Sequence, residues 1–269
     1  MMRDVLTRGM VIFLMVGLSF VTGLKCAEAE LIGAWLFDEG SGDTAADSSG
    51  NGIDGVIVGG PEWVDGQFGK ALKFEPSKYV DFPPPLSAML VLDRDFSCMA
   101  WVYANEWITS YQGVMSMQAG SSNGETYGFY FDSGGKRIAI YLNIVGMAGQ
   151  NLKTDVGTVE LATWTHVAVT YDNSQLTIYL NGEVSAQRDL TGDLDNRDGL
   201  GRFVINGNYN SLDGGLSEWV SATVDEVLVF DNAVPQAEIQ GYINNGFASS
   251  AAVEPAEKLS TTWGELKAY

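Results

Sequence analysis

The 269-residue chain is poor in the residue types that most catalytic centres and small scaffolds depend on. It has two cysteines, Cys26 and Cys98, so no disulfide framework holds it together. Its one histidine, His166, excludes a multi-histidine metal centre. That residue lies between Thr165 and Val167, where a structural, hydrogen-bonded imidazole is expected. No Gly-x-Ser-x-Gly turn accompanies it, so a serine nucleophile lacks its usual setting. A Glu-x-Asp-x-x-Glu run, which would put two carboxylates on one strand face for glycoside hydrolysis, is also absent. Asp225-Glu226 comes nearest, but adjacent strand residues are expected to point to opposite faces. Basic residues number 15 against 34 acidic, a net charge of −19. Such a field repels nucleic acid and anionic lipid and favours cations and neutral or basic partners.

Long apolar runs are scarce as well. Met10 to Leu24 is one, 15 residues long, preceded by Arg3 and Arg8 and followed by Ala27-Glu28-Ala29. It is shorter than the ~20 residues a retained span needs, and its flanks match a processed export signal. Residues 1–29 are therefore expected to be a signal peptide, with an uncleaved anchor as the alternative. Lys25 before Cys26 argues against acylation of that cysteine. The mature chain is expected to be secreted or extracytoplasmic, at a cell surface or in a periplasm, with no membrane span. Cys98, in Phe-Ser-Cys-Met-Ala-Trp, reads as a small buried thiol.

What is plentiful is hydrophobic residues at 46% and glycine at 32 residues, enough for a sizeable core and many tight turns. Short alternating runs separated by Gly, Asn and Asp predict strands at 31–37, 55–58, 71–74, 78–82, 96–103, 113–117, 127–131 and 137–145. Others follow at 164–171, 175–180, 183–189, 202–206 and 222–230. Asn181-Gly182 marks a type I′ hairpin, and with the turn at Asp172-Asn173 it makes 164–189 a three-strand meander. Pro235 to Asn245, with Glu238 early and Gly246 after it, predicts a helix. The pattern is that of an all-β sandwich with one short C-terminal helix, spanning residues 30–247. Residues 248–269 read as a linker and tail; the tail regains apolar residues and could dock, anchor or fray.

Three blocks carry a resemblance. They are Gly33-Ala34-Trp35-Leu36-Phe37-Asp38-Glu39 with Asp47-Ser48-Ser49-Gly50-Asn51-Gly52 and Phe68-Gly69-Lys70-Ala71-Leu72-Lys73-Phe74; Trp164 to Tyr171 with its hairpin; and Val224 to Asp231 leading into the helix. In this order and spacing they resemble the laminin-G-like, concanavalin A-like lectin jelly-roll family, which includes pentraxin-like domains. The resemblance implies a two-sheet antiparallel jelly roll. It also implies that the first-strand loop meets the last strand, bringing Asp47 and Asp225 together.

With the meeting of loop and last strand that the resemblance implies, the residues lead to an expected structural calcium site at Asp38, Asp47, Asn51 and Asp225. Asp225 shares the strand phase of Val227 and Val229, which suggests an inward carboxylate, costly to bury unless paired or bound to metal. Calcium takes six to eight oxygens, and the loop Asp38 to Gly52 is rich in them. The competing reading is that Asp47 and Asn51 form turns and Asp225 accepts local amides. For a ligand, Trp107, Tyr111, Tyr209 and Trp219 lie in polar or glycine-rich stretches and are candidates to stack on a sugar ring; pinning loops to the sandwich is the alternative. The expected function is a non-catalytic binding module for a glycan, or for an extracellular protein in cell adhesion, with a glycosidase-like enzyme a distant third.

Overall fold

The computed structural model describes residues 29–119, 125–196, 201–209 and 215–251, so the expected signal peptide and the tail beyond Ala251 lie outside the described residues. The described chain forms, in order, β1 (Leu31–Trp35), β2 (Thr44–Ala45), β3 (Gly55–Val58), β4 (Glu62–Asp65), β5 (Lys70–Phe74), β6 (Tyr79–Phe82), β7 (Phe96–Glu106), β8 (Tyr111–Ala119) and β9 (Glu125–Asp132). It continues with β10 (Arg137–Ile144), β11 (Met147–Lys153), β12 (Trp164–Tyr171), β13 (Gln175–Leu180), β14 (Glu183–Asp189), β15 (Gly201–Ile205), β16 (Asn208–Tyr209), β17 (Leu216–Ser217), β18 (Ser221–Phe230) and the helix α1 (Gln236–Ala251).

The strands make two large antiparallel sheets, the arrangement of a jelly-roll sandwich. The first runs β14-β13-β12-β7-β18-β5-β4, with β1 also on β18; the second runs β11-β10-β9-β8-β15-β6-β3-β2. Period-2 alternation sends one face of each sheet into the space between them. There Trp35, Phe74, Phe82, Phe96, Tyr127, Phe129, Phe131 and Phe203 form one aromatic-rich core with the strand valines and isoleucines. Trp35 stacks on Phe203 at 5.7 Å, and its indole N–H donates to Ile53 O at 2.8 Å, so the buried ring leaves no polar atom stranded. Cys98 is buried and free in this core.

The meander β12-β13-β14 has the expected order, and its hairpin turns at Asn181 (φ 51°) and Gly182 (φ 82°), the positive values a type I′ turn requires. The helix begins one residue after Pro235, and Gly246, at φ 69° and ψ 165°, breaks its helical geometry where a stop was expected. Helical structure then resumes, so residues 248–251, expected as linker, belong to α1. No helix among the described residues is long and apolar enough to cross a membrane.

A second apolar cluster lies outside the sandwich. Ala34, Met99, Ala168, Leu228 and Phe230 on the outer face of the first sheet are covered by Ile239 and Phe247 of α1. The helix therefore covers the middle strands of the first sheet on their outer side; over the second sheet no helix lies among the described residues, and the segment at Gly207 packs on β8, where Ser116 Oγ donates to Gly207 O.

Candidate functional site

Two places gather side chains that a core does not require. One is where β18 changes partner. Its early half pairs β5 (Ala222↔Phe74, Val224↔Leu72) and its late half pairs β1 (Val227↔Trp35, Leu228↔Ala34). Against β7 the register slips between Asp225 and Leu228, and Glu226 sits at φ 52°: a β-bulge with one extra residue. The bulge reverses the side-chain phase. Val224 enters the core before it, and Val227 and Val229 after it. Asp225 consequently does not share the face of Val227 and Val229, as the simple alternation implied; it faces outward, beneath the loop Gly66–Lys70.

There Asp225 Oδ2 accepts from Phe68 N at 2.9 Å, while Oδ1 has no hydrogen-bond partner among the described residues. Burial pushes this carboxyl up to about 8, with the charge of Glu226 adding to the rise against the Phe68 amide. Glu226 is buried too; burial raises its carboxyl, and Phe247 N donates to its Oε2 at 2.6 Å. The bulge breaks the regular alternation, so the two adjacent carboxyls are both buried outside the core, Asp225 under Phe68 N and Glu226 under Phe247 N. Asp38 completes the group by accepting from Lys70 N at 2.8 Å. The loop is pressed onto these acids: a Cβ on Gly66 would fall 2.5 Å from Asp225 Oδ2 and 2.9 Å from the carbonyl oxygens of Phe68 and Lys70, and one on Gly69 would collide with the Asp38 carboxylate. Beside Asp225, Phe68 packs on Trp101 and Trp101 on His166, with ring centroids 6.5 and 5.2 Å apart. Burial alone pulls His166 down to about 3, so it is a neutral structural residue.

Asp47 and Asn51 are not part of this group. Asp47 Oδ1 accepts from Ala34 N and Ser49 N, and its Oδ2 from Ser49 Oγ and Ile53 N, all at 2.8–3.0 Å. Burial alone would raise Asp47, but these bonds outweigh it and hold the carboxyl below its ordinary value. Asn51 Nδ2 donates to Leu31 O and Ile32 O. Both are turn organisers that anchor the loop to β1. The loop does reach β18 through β1, but Asp47 serves Ala34 and Asp225 serves Phe68. The four expected calcium ligands therefore fall into two pairs. Among the described residues no three acidic, His or Cys side chains are gathered closely enough to hold a metal by themselves.

The other place is the outer face of the second sheet. Tyr111 of β8, Tyr130 of β9 and Tyr141 of β10, with Glu218, line a niche of about 260 Å³. Register explains the convergence: Gly113 pairs Tyr130 and Gly128 pairs Tyr141, so glycines beside the rings leave room for them. Tyr141 stands edge-on to both neighbours, 5.8 Å from Tyr111 and 5.6 Å from Tyr130. Lys153 of β11 lies over the Tyr111 and Tyr141 rings at 5.3 and 5.8 Å, a cation–π position. Its ammonium and the Arg137 guanidinium each meet Asp132 Oδ2 at 3.0 Å. Burial, then the hydrogen bond with Tyr111, pushes the Tyr141 hydroxyl up to about 12, so it stays a neutral donor.

A second niche of about 340 Å³ is lined by Ser77, Tyr79, Arg202, Tyr209, Leu216 and Trp219, with Gly215. Tyr79 and Trp219 lie 5.7 Å apart at 36°. The Arg202 guanidinium covers the Tyr209 ring at 3.9 Å and donates to its hydroxyl, which in turn donates to Asp81 at 2.7 Å.

Of the four candidate stacking residues, Tyr111, Tyr209 and Trp219 come to this face. Tyr111 is the most open, 38% exposed, whereas Tyr209 is buried under Arg202. Trp107 does not join them: it stands edge-on to Phe131 at 5.4 Å and pins its loop to the core, the alternative reading of that residue. Tyr130, Tyr141, Tyr79 and Arg202 were missed because they lie inside strands. A signal existed. In Tyr127-Gly128-Phe129-Tyr130-Phe131 the core takes the odd positions, and Tyr141 falls between core residues Ile140 and Leu142, so both tyrosines are out of phase with the core.

A family model described as the concanavalin A-like lectin/glucanases superfamily, of laminin-G type, matches residues 74–240. No curated protein sequence matches the chain. Among solved structures it is similar to domain 4 of an extracellular GH43 arabinanase from Geobacillus stearothermophilus, solved with arabinotriose, at 19% identity and TM-score 0.57, over 80% of this chain and 98% of that one. It is also similar to the binding domain of Paraclostridial mosquitocidal protein 1 (15%, TM-score 0.58, 80% and 52%) and to that of botulinum neurotoxin serotype G (14%, TM-score 0.59, 79% and 50%). The chain spans about half the length of these toxin binding domains, and at such identities the likeness speaks for the fold.

Proposed function

We propose that this chain, which belongs to the concanavalin A-like lectin/glucanase superfamily, works as a non-catalytic binding module and takes a glycan on the outer face of its second sheet. The observation that carries the reading is the niche of Tyr111 and Tyr141 over the buried Tyr130: ring faces and edges beside a carboxylate and an ammonium, on a face with no helix over it among the described residues. Sugars present C–H faces that stack on aromatics and hydroxyls that need paired donors and acceptors. The arabinanase domain solved with arabinotriose gives the same direction. Screening the chain on immobilised glycans tests the reading: a binder that Tyr111→Ala weakens at least tenfold supports it, and no binder moves weight to protein adhesion.

Two further parts belong to the same reading. Calcium, where bound, would be held by Asp225 and Asp38 with main-chain oxygens of the Gly66–Lys70 loop, and would fix that loop to β18. What supports it is the orphaned Asp225 Oδ1 and the convergence of carbonyl oxygens on Gly66. Export, from residues 1–29, would place the module outside the cytoplasm; the mass of the purified protein checks it.

A further inference from the structure

We infer that the two niches are adjoining subsites for one neutral oligosaccharide of at least two rings, laid across the Glu218–Trp219 peptide. This rests on the glycan reading above and narrows it to a substrate class and a minimum length.

Continuity comes first. Glu218 lines one niche and Trp219 the other. Consecutive Cα atoms lie about 3.8 Å apart, so the two linings meet at one peptide. That junction is held by the main chain. Glu218 O accepts from Gly113 N at 2.7 Å, Gly113 O accepts from Gly207 N at 2.8 Å, and Val220 N donates to Asn206 Oδ1 at 2.7 Å. A Cβ on Gly113 would fall 2.6 Å from Gly207 O, so the seam closes only over glycine. Glu218 itself is held at φ 54°, a conformation a non-glycine residue keeps only when its surroundings enforce it. Its Oε2 accepts from Asn208 Nδ2 at 3.1 Å, which aims the carboxylate.

Size comes second. Whole-ligand pockets run roughly 300–1,000 Å³. At about 260 and 340 Å³ each niche is at the floor of that range, room for one ring, so a ligand held firmly engages both. Each side also offers its own aromatic surface, Tyr111 and Tyr141 in one and Tyr79 and Trp219 in the other.

Charge comes third. Among the described residues the charges here nearly cancel: Lys153 and Arg137 share Asp132, Glu218 adds a second carboxylate, and Arg202 lies 3.9 Å from Asp81. Among the described residues the charged side chain lining the first niche is Glu218, in a chain of net charge −19. A sugar carboxylate entering there finds the described cations already shared with Asp132 and meets the Glu218 carboxylate, which disfavours it. A neutral chain meets no such obstacle.

Calorimetric titration of the full chain with xylo-, arabino- and gluco-oligosaccharides of one to four rings, and with trigalacturonate, tests the inference. The expected result is that one neutral series tightens at least tenfold from one ring to three, with trigalacturonate at least tenfold weaker than that trimer. Tyr141→Ala and Trp219→Phe should each return the trimer to the affinity of the single ring, and Glu218→Gln should narrow the gap to trigalacturonate. Retained thermal midpoints in these variants keep a loss of binding distinct from a loss of fold. Equal affinity for one ring and three overturns the paired subsites and leaves the glycan reading standing. Tightest binding by trigalacturonate overturns neutrality. No binding by any member overturns the glycan reading and this inference with it.

Discussion

The outer faces of the two sheets are built from similar stock and put to opposite ends. Each carries aromatic rings and carboxylates on a strand surface. On the first sheet α1 and the Gly66–Lys70 loop cover them, so Asp225 and Glu226 are buried and Trp101 is enclosed between Phe68 and His166. On the second sheet Tyr111 stays open, and Asp132 and Asp81 are matched by Lys153, Arg137 and Arg202. Burial turns acids and rings into structural parts whose protonation matters to folding; exposure with local pairing leaves them available to a ligand.

If that contrast holds, substitutions under the helix should change stability and spare binding, and those on the open face should do the reverse. The largest effect is expected from Trp101→Ala, which empties the layer between Phe68 and His166 and should lower unfolding free energy by about 3–5 kcal/mol in denaturant titrations. Next is acid sensitivity. His166 stays neutral in the fold down to about 3 and protonates below about 6.5 when unfolded, so stability should fall as pH drops through that window, by at most ~1.4 kcal/mol per pH unit. His166→Gln should flatten the slope, and an unchanged slope would show that other groups set it.

Asp225 has the opposite sign. Raised to about 8 in the fold, it is neutral there while the unfolded chain ionises above about 4, so without cation stability should fall as pH rises toward 8. Asp225→Asn should then stabilise the protein in EGTA at pH 7 by roughly 1–3 kcal/mol and abolish any rise in melting temperature on adding millimolar calcium. A calcium response that survives the substitution would place the ion elsewhere. The smallest effect on stability belongs to the open face: Tyr111→Ala should cost less than about 1 kcal/mol, while a bound glycan loses at least tenfold in affinity.

The regular parts of this division were legible in the sequence. β3, β12, β13 and β14 have the ends that alternation and turn residues predicted. β4 (Glu-Trp-Val-Asp) and β11 (Met147–Lys153) were not found, because one is a sheet-edge strand ended by acids and the other an edge strand interrupted by glycine and polar residues, and edges need no continuous apolar phase. The bulge at Glu226 was hidden for a sharper reason. A single inserted residue reverses every later side chain, so Asp225 looked in phase with Val227 when it is not. At the open face the difficulty lay in where to look: Tyr111, Tyr209 and Trp219 stood out in polar stretches, while Tyr130 and Tyr141 were camouflaged by the core residues between which they alternate.

The pairing of β1 with β18 has a consequence for how the module is carried. The described chain enters at β1, where Leu31 lies opposite Phe230, and leaves through α1, which packs on the outside of the same sheet. Entry and exit are thus on one side of the sandwich and both niches on the other. The tyrosine face is thereby left clear of both described ends of the chain.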